Sequence, residues 1–150
     1  MSVEVLVDTN VLVYSFDADD VHKRERAESI LGDLIDTGRG AVTAQVLAEF
    51  FVTVRRRFTA VLDLGAATAQ VRRYTWMFTV YDTTTAVVEE ALRGVVRYQL
   101  SYYDAQIWAV ARLHQIPIVL SEDFSNGQVI EGVRFVNPFA DGFDPHALLG

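Results

Sequence analysis

Short runs of Val, Leu and Ile alternate with longer stretches whose apolar residues recur at helical spacing, along nearly the whole chain. Runs of that length read as buried strands, and the longer stretches read as amphipathic helices. Strands alternating with helices argue for a parallel sheet with helices on both faces. The expected fold class is therefore a three-layer α/β/α domain with a central, mainly parallel sheet, one domain over residues 1–150. Strands are expected over 3–7, 41–43, 78–81, 118–120 and 134–136, and helices over about 20–36, 44–58, 64–76, 86–100 and 101–114. Thr43 and Asp63 are candidate N-caps, and Gly38 is a stop signal. Residues 141–150 carry little periodic signal.

Composition narrows the chemistry. With 51% hydrophobic and 22% charged residues the chain is globular rather than disordered. It has no cysteine, which excludes disulfides, thiolate zinc sites and cysteine nucleophiles. Its three histidines, His22, His114 and His146, show no ligand spacing. No apolar run approaches the ~20 residues that span a bilayer, and the first residues lack a basic leader pattern, so a cytoplasmic, non-membrane protein is expected. The formal net charge of −7 argues against a non-specific nucleic-acid binder. Of the 13 basic residues only Lys23 is lysine. Arg suits bidentate phosphate contacts, but codon bias explains the skew at least as well.

Four acids stand out. Asp8 and Asp123 follow apolar runs, where an open α/β sheet presents its site. Each has a plain alternative: Asp8 as an Asx-turn or N-cap residue, Asp123 as a surface turn whose neighbour Glu122 is the working acid. Asp104 leads a face continued by Ile107, Trp108 and Ala111, yet Ser101-x-x-Asp104 also fits a capping box. Glu49 lies about 60° outside the apolar stripe of its helix, taking ~100° per residue, which describes a solvated flank. Brought together, four carboxylates would repel one another unless a hard divalent cation lay among them.

At these residues the chain resembles the PIN domain family, and within it the VapC-type toxins of toxin–antitoxin pairs. Leu6-Val7-Asp8-Thr9-Asn10 is similar to the opening strand and its acid. Thr43 to Glu49, Ser101 to Ala105 and Ile118 to Phe124 resemble the segments bearing the second, third and fourth acids. Gly127 to Gly132, leading to Asn137-Pro138-Phe139, is also like that toxin group. The resemblance covers the chain from Val5 to about Phe139, and it selects Asp123 over Glu122. It implies a metal-dependent endoribonuclease, usually a homodimer, blocked by a cognate antitoxin protein.

On this basis Asp8 and Asp104 are expected as the main ligands of Mg²⁺ or Mn²⁺, with Glu49 and Asp123 completing the anionic cup and RNA as substrate. Asn10 and Ser121 are candidates to orient ligands or water. Arg55, Arg56, Arg57, Arg72 and Arg73 are candidates for RNA backbone contacts, and Phe50, Phe51, Tyr74, Trp76 and Phe78 for a dimer interface, with core packing the default for each. The rival readings are a PIN-like RNA- or protein-binding module that has lost catalysis, and a nuclease acting on DNA.

Overall fold

The computed structural model describes residues 2–149. β1 (Val5–Val7) leads into α1 (Thr9–Tyr14) and α2 (Val21–Thr37), and β2 (Gly40–Thr43) into α3 (Ala44–Arg57) and α4 (Leu64–Met77). β3 (Thr79–Tyr81) precedes α5 (Thr85–Tyr98) and α6 (Tyr102–Leu113); β4 (Ile118–Leu120), β5 (Val129–Ile130), β6 (Val133–Val136) and α7 (Pro145–Leu149) follow. The strands form one sheet in the order β3-β2-β1-β4-β6-β5. Every pairing is parallel except β5 with β6. Helices flank this sheet, so the three-layer α/β/α expectation holds. Among the described residues no helix is long and apolar enough to cross a membrane.

Local chemistry sets the element ends. Thr43 Oγ1 accepts from the Val46 N–H at 3.0 Å and Asp63 Oδ1 from the Ala66 N–H at 2.8 Å, so both expected caps form. Gly38 ends α2 at φ 68, a left-handed position that favours glycine. Three elements lie outside the sequence expectation: α1, β5 and α7. Each is short, at six, two and five residues.

β1 is buried on both faces, with Val5, Leu6 and Val7 at 0% exposure. Burying a side chain of that size contributes about 1.5–3 kcal/mol. Trp108 of α6 is also fully buried and donates its indole N–H to the Ile130 carbonyl at 3.1 Å. Gly94 of α5 lies against that ring: a Cβ there would sit 2.8 Å from it. The sheet order also locates the site. From β1 the chain runs to β2 on one side, and β4 lies on the other. Where strand order reverses like this, a crevice opens beyond the carboxyl ends of the two strands.

Candidate metal centre

Asp8 and Asp123 stand on either side of that crevice. Asp8 follows β1 directly and caps α1: its Oδ1 accepts from the Thr9 N–H at 2.8 Å. Its Oδ2 accepts from the Ser121 hydroxyl at 2.7 Å. The expected capping role and a place in the pocket are thus compatible. Ser121, fully buried just past β4, also accepts from the Asp123 N–H at 3.1 Å. The Asn10 amide donates to Asp123 Oδ2 at 3.2 Å and to Ser121 Oγ at 3.3 Å. Ser121 and Asn10 therefore tie the ends of β1 and β4 together and orient both acids.

Glu122 points into other company. It accepts from the Tyr14 hydroxyl at 2.8 Å and pairs with Lys23 at 3.0 Å. Those partners satisfy its carboxylate and leave Asp123 as the acid of this turn that lines the pocket.

Glu49 corrects the helical-wheel expectation. It is half-buried rather than solvated. Its Oε2 accepts from the Thr9 hydroxyl at 3.0 Å and its Oε1 from the Gln45 amide at 2.8 Å. The wheel fails because α1 packs against α3 and covers the flank that periodicity leaves open. Asp104 lies in the first turn of α6, but Ser101 makes no side-chain capping bond, so the capping box does not form. An acid at that position is favoured by the helix dipole.

All four acids line one cavity of about 90 Å³, with Thr9, Thr43, Gln45, Tyr103 and Gln106 among its walls. No basic residue lines it among the described residues. Burial first, and then the charges of Asp123 and Asp104, push the Asp8 carboxyl up to about 6 against the opposing hydrogen bonds from Ser121 and Thr9. Asp123 is also raised, by desolvation and then by Asp104, Glu122 and Glu49, with the Asn10 bond opposing. Among the described residues no three acids or histidines close on a single metal-sized point. The carboxylates line the cavity as a loose cup. An all-oxygen cup of this kind fits Mg²⁺, which keeps several waters and takes only one or two carboxylates directly.

Thr9, Gln45 and Tyr103 had no individual role in the sequence reading. Gln45 was detectable, since it stands four residues before Glu49 on the same helix face. Of the aromatic candidates, Phe50, Tyr74 and Phe78 are core residues, Phe51 is half-buried and Trp76 is 89% exposed.

Comparison with known proteins agrees with this architecture. Residues 5–125 match the PIN domain family. A toxin–antitoxin complex from Klebsiella pneumoniae superposes with TM-score 0.68 and 21% identity, over 90% of this chain and 98% of that one. A Mycobacterium tuberculosis VapC toxin described as cleaving the sarcin–ricin loop gives TM-score 0.63 and 22% identity, over 77% and 87%. DNA-bound VapBC from Salmonella typhimurium gives 0.62 and 18%, over 89% and 96%. At these identities the likeness is one of fold. No curated protein matches the sequence.

Proposed function

The chain belongs to the PIN domain family, and from that premise we propose that it is a metal-dependent endoribonuclease, the toxin of a toxin–antitoxin pair. The observation that carries this reading is the pocket itself. Four carboxylates, two on the helices α3 and α6 and two in the loops that follow β1 and β4, line one cavity. Burial, and after it the charges of Asp123 and Asp104, raise the Asp8 carboxyl in that cavity.

Asp8 and Asp104 are the direct ligands in this reading. Glu49 and Asp123 would complete the cup, partly through water, while Ser121 fixes Asp8, Asn10 fixes Asp123, and Thr9 and Gln45 fix Glu49. A Mg²⁺ or Mn²⁺ ion held there would supply Lewis acidity, to polarise a scissile phosphate and lower the pKa of an attacking water. Hydrolysis by water leaves a 5′-phosphate and a 3′-hydroxyl. RNA is favoured over DNA because one similar structure is described as an RNA-loop-cleaving toxin. A cognate antitoxin is proposed because two others are toxin–antitoxin assemblies. Homodimerisation is part of the same proposal, and the exposed Trp76 is an apolar group available to a protein partner.

The test is cleavage of structured RNA by the purified chain in Mg²⁺ or Mn²⁺, with single-stranded DNA alongside. Asp8→Asn, Asp104→Asn and EDTA are each expected to reduce the rate at least ~100-fold, the scale of losing a principal electrostatic group. Cleavage that survives chelation or either substitution would sink the mechanism. Saturable Mn²⁺ binding without cleavage of any nucleic acid would instead favour the silent binding module.

A further inference from the structure

The acid pocket poses a difficulty for its own substrate. RNA is a polyanion, and the cavity walls carry four carboxylates and, among the described residues, no cation. A second cavity, of about 230 Å³, opens beside the first and shares Thr9 and Asp123 with it. Its other walls are Asn10, Val13, Tyr14, Thr53, Glu122 and Arg57. Arg57 is the one basic residue lining either cavity among the described residues. The same helix serves both: α3 carries Glu49 to the first and, eight residues or about 12 Å further along its axis, Arg57 to the second.

Arg57 has donors to spare. Its side chain is 48% exposed, and its ion pair with Asp17 is long, at 3.8 Å. No hydrogen bond from its guanidinium is found among the described residues, while its guanidinium carbon lies 5.0 Å from the centre of the Phe58 ring. Its neighbours differ. Arg55 donates to the Leu62 carbonyl at 3.2 Å, and Arg56 lines neither cavity. A planar guanidinium with free N–H groups presents the fork that matches a phosphate. The cavity is smaller than the ~300–1,000 Å³ that encloses a whole small molecule, which suits one linkage of a strand continuing past it.

We propose that the Arg57 cavity is a subsite for a backbone phosphate of the RNA strand, flanking the linkage held at the four acids. The proposal rests on the nuclease reading. It makes Arg57 a substrate-positioning residue that offsets the repulsion of the acid pocket without entering the metal's surroundings.

The experiment measures fluorescence anisotropy of a short labelled single-stranded RNA, as a function of salt, with Ca²⁺ as the metal. Wild type is compared with Arg57→Gln, Arg57→Lys and Arg56→Gln. Arg57→Gln is expected to weaken binding about tenfold and to reduce the salt slope by ~0.7–1, the loss of one phosphate contact. Arg57→Lys keeps the slope and recovers part of the affinity. Arg56→Gln stays near wild type, Mn²⁺ affinity holds in all three, and Arg57→Lys, which keeps the charge beside the buried Asp17, separates the RNA effect from any loss of Tm in Arg57→Gln. In cleavage assays Arg57→Gln raises KM and leaves kcat. Equal losses in Arg56→Gln and Arg57→Gln, or no loss in Arg57→Gln, would overturn the subsite while the nuclease reading stands. Failure of the wild type to bind RNA at low salt would overturn both.

Discussion

Asp8 carries the clearest conflict between folding and the proposed function. Its folded-state carboxyl is raised to about 6, so the native state holds that proton more tightly than the unfolded chain does. Stability therefore falls as pH rises from about 4 to about 6, and the full penalty persists above that window. Asparagine at this position keeps an oxygen to accept the Thr9 N–H, presents an amide NH₂ in place of the oxygen that accepts from the Ser121 hydroxyl, and carries no charge. Asp8→Asn is thus expected to stabilise the metal-free protein by up to about 3 kcal/mol at neutral pH and to be near neutral at about pH 4, by urea unfolding. A destabilised variant at neutral pH would contradict the account. Metal affinity of the wild type should fall as pH drops through about 6, because the metal must displace that proton. At this scale sequence reading was uneven. Asp8 and Asp123 were legible because they end apolar runs. Glu49 was not, since Thr9, the partner that fixes it, lies 40 residues away on another helix. Nor could spacing reveal that Lys23 and Tyr14 occupy Glu122.

The elements that build the site are held by close packing of neighbours, and α5 against α6 is one such case. Trp108 fills the space opposite Gly94, and an added methyl would lie 2.8–2.9 Å from two ring atoms. The ring is fully buried and cannot retreat. In an open helix Gly→Ala gains ~1 kcal/mol of propensity. Here overpacking of ~1–3 kcal/mol opposes it, so Gly94→Ala is expected to lower stability by up to about 2 kcal/mol. Because α6 carries Asp104, the shift should also weaken Mn²⁺ binding, measured by titration alongside thermal unfolding. A more stable variant with unchanged metal affinity would show that α6 does not depend on this contact. The long helices were legible because many turns of periodicity reinforce one another. α1 was not, since Val11, Leu12 and Val13 are consecutive apolar residues that suit a strand as well as a helix, and all three are buried. β5 and α7 are too short for any period to register.

At the scale of the molecule, the alternation of strands and helices gives the layers but not the order of the strands. The site depends on that order: only because β4 lies beside β1 do residues 8 and 123 meet. Helix and strand periods carry no signal for such a neighbour choice. The resemblance to a family supplied it in effect, by naming which acids belong together. One consequence separates a site from bulk electrostatics. The chain carries a net charge of −7, so any added salt relieves some self-repulsion. A cation bound at the four acids does more, because it binds the folded state alone. At a hundredfold excess over Kd that linkage is worth about 2.7 kcal/mol, or roughly 5–10 °C in Tm for a chain of this size. Mn²⁺ or Mg²⁺ is therefore expected to raise Tm by that amount in the wild type and to leave Asp8→Asn almost unmoved. NaCl at matched ionic strength should reproduce little of the rise. If sodium chloride gives the same shift, or if Asp8→Asn responds like the wild type, the cation acts on the whole charge of the molecule and not on the pocket.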